Sequence, residues 1–106
     1  MVTQQHIADV CEQIARHFRP DKIILFGSYA YGRPRPGSDV DLLVILRAKK
    51  SGIHKAVEIL DRIDARFGLD LIVRTPAEVR RRLKWNDFFL KEILEKGKVI
   101  YESADA

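Results

Sequence analysis

Two carboxylates and a glycine-serine pair stand near one another in the first half of the chain. Asp39 and Asp41 are separated by one residue, and Gly27 and Ser28 follow an apolar run. Side chains two residues apart on a β-strand point to the same face, so these two carboxylates would project together. Like charges that close repel unless a cation lies between them, and hard divalent ions prefer oxygen ligands. The pattern therefore favours a divalent metal site next to a turn that suits phosphate.

A third carboxylate, Asp70, also lies within a strand-like apolar run. Carboxylates in such runs are usually paired, neutralised or metal-bound, because burying an unpaired charge is costly. A purely structural alternative stays open, in which Asp39 closes a loop with Ser38 while Asp41 pairs with a lysine or arginine. The glycine-serine pair favours the site, because backbone N–H groups and a hydroxyl at such a turn can hold phosphate oxygens.

Hydrophobic spacing predicts the elements that position these residues. Helices are expected from a Thr3 cap to Pro20, over 53–67 with Ser51 as cap and Gly68 as stop, from Thr75 and Pro76, and from an Asn86 cap. Strands are expected at 22–26, about 39–47, 69–73 and 99–101, with a helical turn at 29–31 and a loop over 32–37. The order αβ(turn)βαβααβ predicts an α+β fold, close to α/β, in which helices cover a small mixed β-sheet.

Length and composition predict one globular domain over residues 1–106. Apolar residues make up 46% of the chain and charged residues 32%, which is typical of a folded soluble protein. No segment reaches the roughly 18 apolar residues of a membrane span, and the polar start lacks the form of a signal peptide. We therefore expect a cytoplasmic protein with no membrane partner. The lone Cys11 is expected to be a buried thiol.

The net charge of +4 is concentrated in one segment. Between Arg74 and Lys84, five basic residues stand against the single acid Glu78, an excess of four. Such a stripe can attract phosphate, nucleic acid or an acidic protein surface. The alternative is a solvated helix face on which Glu78 pairs with Arg82. Trp85, next to this stripe, could stack on a base, but a tryptophan more often packs in a core or at a protein interface.

The motif of Gly27-Ser28, ten intervening residues, Asp39-x-Asp41 and a later strand aspartate resembles the DNA polymerase β nucleotidyltransferase superfamily. Within it, the segment 27–46 is similar to the minimal nucleotidyltransferase (MNT) proteins, which are typically antitoxin partners of HEPN-domain proteins. The resemblance implies a polymerase-β-type nucleotidyltransferase fold. It assigns Gly27 and Ser28 to the triphosphate, and Asp39, Asp41 and Asp70 to two Mg²⁺ ions.

The resemblance also implies a reaction. Asp70 would hold the ion nearer the attacking hydroxyl and act as the candidate base. Ser38 and Arg33, in the loop between the two motifs, are further candidates for binding the nucleotide. The substrate implied is ATP, and the acceptor implied is a tyrosine of a HEPN ribonuclease toxin, which the transferred AMP would silence.

Two other functions stay open from the sequence. The chain could be a non-catalytic antitoxin that neutralises its toxin by occlusion, or a nucleotidyltransferase that acts on an RNA end. The expected partners are a HEPN-domain toxin and a nucleoside triphosphate, and nucleic acid is possible but not favoured. Exposed apolar residues on the terminal helices are compatible with a homodimer or a hetero-oligomer.

Overall fold

The computed structural model describes residues 1–104 and has the predicted order of elements. The helices are α1 (Gln4–Phe18), α2 (Ser28–Tyr31), α3 (Gly52–Arg62), α4 (Pro76–Lys84) and α5 (Phe88–Lys96). The strands are β1 (Lys22–Phe26), β2 (Val40–Ile45), β3 (Leu69–Arg74) and β4 (Lys98–Glu102). Across residues 1–104, no helix has both the length and the apolar character that crossing a membrane requires. The predicted α+β fold class is confirmed.

The four strands form one mixed sheet in the order β3-β2-β1-β4. Strand β1 pairs antiparallel with both β2 and β4, whereas β2 pairs in parallel with β3. A parallel pair needs a crossover connection, and α3 supplies it. Because of this topology, the C-terminal end of β1 lies at the same edge of the sheet as the N-terminal ends of β2 and β3. The residues singled out in the sequence are carried by these three strand ends.

Helices cover both faces of the sheet. The larger apolar cluster joins one face to α1 and α3, and includes Val40, Leu42 and Val44 of β2. The smaller cluster joins the other face to α5 and Val79 of α4, and includes Leu43 of β2. A strand buried on both faces reads as a continuous apolar run, which explains the sequences of β1 and β2. Cys11 is buried in the larger cluster, as predicted.

Two predicted helix boundaries were wrong. Helix α3 ends at Arg62 rather than near Phe67, because the backbone turns extended at Ile63. Gln13 of α1 then holds the following residue: its Oε1 accepts a hydrogen bond from Asp64 N at 2.8 Å. Helix α5 is capped by Asp87, not by Asn86 as predicted. Asn86 has a φ of 58°, whereas an N-cap needs the extended backbone that Asp87 has.

The basic segment also departs from its predicted pairing. Glu78 does not pair with Arg82, because its carboxylate accepts a hydrogen bond from the backbone N–H of Thr75 at 3.0 Å and completes a capping box. Arg82 instead bonds to Asp87, with 3.4 Å between Nη1 and Oδ2. Trp85 is not a core residue: its exposed fraction is 72%.

Candidate active site

The parallel register of β2 and β3 brings two of the predicted aspartates together. Asp41 and Asp70 are Cα partners across this pair, and each is the second residue of its strand. Partners in register point to the same face of a sheet, so their carboxylates are neighbours. Asp39 lies just before β2 and two residues from Asp41, at the same edge. One sheet edge therefore carries all three carboxylates.

These carboxylates lie at the end of the sheet face that α4 and α5 cover. Asp41 precedes Leu43 by two residues on β2, and Asp70 precedes Ile72 by two on β3; both apolar residues belong to the smaller cluster. Phe26, the last residue of β1, is the Cα partner of Asp41, so Phe26, Asp41 and Asp70 lie side by side across three neighbouring strands. The site is thus an open edge next to a packed apolar layer, with Asp39 and Asp70 exposed and Asp41 half-buried.

The environment of Asp41 disfavours its charged form. Partial burial raises the pKa of this carboxyl above its usual value, and the neighbouring charges of Asp70 and Asp39 raise it further. A hydrogen bond from the protonated Asp41 carboxyl to Asp70 acts in the same direction. Among residues 1–104, no lysine or arginine forms an ion pair with any of the three aspartates. The predicted structural alternative, Asp41 paired with a base, is therefore wrong.

Gly27 is required at its position for two reasons. Its φ of 73° and ψ of −153° fall in a region that side chains rarely allow. A Cβ at this position would also overlap the Oδ2 atom of Asp41. The glycine before Ser28 therefore lets the chain turn out of β1 while leaving room for the half-buried carboxylate.

Gly68 is a site residue that the sequence reading missed, since it was interpreted only as a helix stop. A Cβ there would overlap Oδ1 of Asp39, so the Asp39 carboxylate packs directly against this glycine. The carbonyl of Gly68 accepts a hydrogen bond from Val40 N at 2.9 Å, which fixes the two segments next to each other. The only signal in the sequence was a glycine immediately before the strand that carries Asp70.

As they stand, the three carboxylates do not converge on one point. Within the described part of the chain, no three His, Cys, Asp or Glu side chains are arranged as a ready-made metal site. The donor set nevertheless suits a hard divalent cation, because it consists of carboxylate oxygens without a competing base. Burial is the main reason for the raised pKa of Asp41, and the charges of Asp70 and Asp39 add a repulsion that a cation would relieve. Asp39 is exposed, so its side chain can turn toward the other two, and the lack of a Cβ at Gly68 leaves room for its carboxylate.

The comparison with known proteins agrees with this geometry. Residues 6–101 match the family described as "Nucleotidyltransferase domain". The chain belongs to this family. The assignment covers most of the chain and all three aspartates, and the prediction of a nucleotidyltransferase enzyme is confirmed.

Relatives and solved structures agree with the family. A protein of Methanocaldococcus jannaschii named "Putative protein adenylyltransferase" is 29% identical over 85 residues, covering 78% of this chain and 80% of the relative. A "putative nucleotidyltransferase" of Sulfolobus solfataricus has a similar fold, with a TM-score of 0.65 at 19% identity over 92% of this chain and 78% of the other. A toxin-antitoxin structure with AMP-PNP gives a TM-score of 0.56 at 21% identity, covering 92% of this chain and 75% of that one.

The predicted phosphate-binding elements of this nucleotidyltransferase domain sit next to the aspartate edge. Ser28 is the first residue of α2, so the N–H groups of Ser28 and Tyr29 have no acceptor within the helix. The hydroxyl of Ser38 accepts a hydrogen bond from Arg35 N at 2.9 Å and so shapes the loop that leads to Asp39. Arg33 is exposed in that loop. The binding of a nucleotide by these residues stays a prediction.

Proposed function

We propose that this nucleotidyltransferase transfers AMP from ATP to a hydroxyl of an acceptor protein, with Mg²⁺ held by Asp39, Asp41 and Asp70. One observation carries the proposal: Asp41 and Asp70 are partners on parallel strands at the sheet edge where Asp39 lies just before β2. Two further findings support AMP and a protein acceptor. The M. jannaschii relative is named a protein adenylyltransferase, and one structure of similar fold is described with AMP-PNP, an ATP analogue.

The chemistry divides between the bound ions and the residues of this chain. Two Mg²⁺ ions, which Asp39, Asp41 and Asp70 would hold, would neutralise phosphate charge and acidify the attacking hydroxyl. The acceptor oxygen forms a bond to the α-phosphorus, the bond from that phosphorus to the β-phosphate oxygen breaks, and pyrophosphate leaves. Asp70, exposed at the start of β3, takes the proton of the acceptor hydroxyl. Gly27 and Ser28 hold the triphosphate through backbone N–H groups and the serine hydroxyl, and Arg33 and Ser38 flank it.

For the acceptor we propose a tyrosine of a HEPN ribonuclease toxin, which would make this chain its antitoxin. The support is the likeness of its fold to a toxin-antitoxin structure. An AMP group on a tyrosine hydroxyl replaces a neutral donor with a bulky anion, which is enough to block a site that binds RNA phosphates.

The test uses the purified protein with Mg²⁺, ATP and the protein encoded by the adjacent reading frame. We expect the intact mass of that protein to rise by one AMP, and we expect the rise to disappear with Asp39→Ala or Asp41→Ala. Asp61→Ala is the matched control, because Asp61 is an exposed aspartate on α3 that lines a cleft with His17 and Phe18, at the end of α1 that leads into the start of β1 and away from the aspartate edge. Undiminished transfer by both site variants would refute the proposed site.

Protection of cells separates modification from occlusion. If transfer silences the toxin, Asp39→Ala must lose protection at normal expression while still folding and binding the toxin. A variant that transfers no AMP and still protects cells would show that the toxin is neutralised by binding alone.

A further inference from the structure

The connection between α4 and α5 carries a surface that the nucleotide site does not use. We propose that this surface, formed by Arg80, Lys84, Trp85, Phe88 and Phe89, docks the acceptor protein next to the aspartate edge. We call it the α4–α5 surface. The inference rests on the proposed function, and it adds the place where the acceptor binds and the chemistry of the acceptor's matching face.

Position is the first reason. Helix α4 begins after Arg74, at the end of β3 opposite to Asp70. Soon after α4 ends, Phe89 reaches the aspartate edge, where its ring packs edge-on against Phe26 with 5.8 Å between centroids. Phe26 is the Cα partner of Asp41. A protein bound over Trp85 and Phe88 would therefore lie beside the reacting carboxylates.

Exposure is the second reason. Trp85 is 72% exposed, Phe88 is 78% exposed and Phe89 is 54% exposed, although all three lie within five consecutive residues. Large aromatic side chains are the residues that most often anchor protein interfaces, because they bury much apolar area with little loss of conformational entropy. Leu83, also exposed, extends the patch onto α4. Exposed apolar residues grouped this way favour a binding surface, and their place next to the aspartate edge distinguishes them from the exposed residues of α3.

Charge is the third reason, and it indicates the chemistry of the partner. In the described part of the chain, Arg80 and Lys84 form no ion pair, whereas Arg82 is engaged by Asp87. The one acid of the segment, Glu78, is held in its capping box. The aromatic patch therefore has a free basic rim, which complements aspartate and glutamate side chains on a partner.

A protein fits this surface better than RNA does. The Arg81 guanidinium lies over the Trp85 ring at 5.7 Å from its centroid, so one stacking face of the indole is already covered. The edge-on contact with Phe26 likewise engages the ring of Phe89. An apolar centre with a charged rim is the anatomy of a protein interface, whereas single-stranded RNA needs open aromatic faces along a basic groove. The partner we infer is thus the acceptor protein, through an acidic face with apolar residues at its centre.

The experiment measures the dissociation constant of the complex with the protein of the adjacent reading frame, by calorimetry, separately from AMP transfer. Trp85→Ser with Phe88→Ser is the apolar double variant. Its matched control is Ile53→Ser with Val57→Ser, since these residues of α3 are similarly exposed at 78% and 53%. Arg80→Ser with Lys84→Ser removes two charges, and Lys49→Ser with Lys50→Ser removes two exposed charges elsewhere.

We expect the apolar variant to weaken binding by about tenfold or more and the charge variant to weaken it severalfold, with a shallower dependence on salt. Both controls should stay within about twofold of the wild type. In AMP transfer, the surface variants should raise the KM for the acceptor and leave kcat and the binding of ATP unchanged.

Three results would overturn the docking proposal: no binding of this acceptor by the wild type, equal binding by wild type and surface variants, or equal losses in the controls. Tighter binding of a single-stranded RNA oligonucleotide through the same residues would assign the surface to RNA instead. Failure of the proposed function looks different. The acceptor would still bind through the α4–α5 surface, yet gain no AMP.

Discussion

Asp41 on β2 lies directly beside Asp70 on the parallel strand β3, so two like charges share one edge of the sheet. No base neutralises them within residues 1–104, and the pKa of Asp41 is raised by burial and by its acidic neighbours. An arrangement that repels itself in the folded protein and suits a cation is expected of a functional site rather than of a structural one. The cost of this repulsion in folding stability is measurable.

Asp41→Asn should stabilise the protein in the absence of metal. The amide keeps the shape of the side chain and removes a partly buried charge together with its repulsion, so we expect a gain on the order of 1 kcal/mol in the free energy of unfolding at neutral pH. For a domain of this size such a gain corresponds to a rise in Tm of about 4–8 °C. Thermal unfolding in EDTA measures it, with Asp61→Asn as control. A lower Tm for Asp41→Asn than for the wild type would contradict the repulsion.

The pair of Asp41 and Asp70 also predicts that folding stability depends on pH. The pKa of Asp41 in the folded protein is raised above its ordinary value of 3.8, so the folded protein favours the protonated carboxyl. The stability that this protonated form contributes is fully present below pH 3.8 and is lost as the pH rises through the folded pKa. The stability difference between Asp41→Asn and wild type should therefore be small in acid and grow toward neutral pH. Denaturant unfolding of both proteins across this range tests it, and a difference that does not change with pH would count against it.

Gly68→Ala should disable the site without unfolding the protein. The added methyl group would overlap the Asp39 carboxylate, and this exposed side chain would rotate away at little cost in stability. We expect Mg²⁺-dependent AMP transfer to fall at least about tenfold, because positioning errors of an ångström have effects of this size or larger. Transfer assays and thermal unfolding of the same sample provide the measurement.

Gly37→Ala is the matched comparison for that variant. A Cβ at Gly37 has open space around it, but its φ of 88° is strained for alanine. This variant should lose stability, by about 1 kcal/mol, and keep its activity. If Gly68→Ala behaved like Gly37→Ala, the proposed contact with Asp39 would have no role in catalysis.

Cys11 should resist alkylation in the native protein. Burial raises the pKa of its thiol from 9.0 to about 12, so very little thiolate exists at pH 8, and the sulfur is enclosed by the larger cluster. We expect iodoacetamide to react at least about a hundredfold more slowly than with the same protein in denaturant, which is the control. Intact mass against time gives both rates. Similar rates in the two conditions would show that the α1 face is open.

The order of elements and the two-sided burial of β1 followed from local patterns, since apolar runs and spacing report which faces are covered. The meeting of Asp41 with Asp70 depends on strand register, which distant residues set. The contact of Gly68 with Asp39 joins segments far apart in sequence, so only the fold reveals it. For Trp85 the sequence left a core position and an interface position open, because an exposed indole and a buried one cannot be told apart in a sequence. The spacing of apolar residues also gave no sign of the role of Gln13, which accepts a hydrogen bond from Asp64 just after the early end of α3.

The most direct measurement is a crystal structure grown with Mn²⁺ and a non-hydrolysable ATP analogue, with the metal located by anomalous scattering. Two anomalous peaks about 3.5–4 Å apart are predicted, held by Asp39, Asp41 and Asp70, with the triphosphate against Gly27 and Ser28. A bound nucleotide with no metal among these carboxylates, or with Asp39 outside the metal coordination, would contradict the central claim.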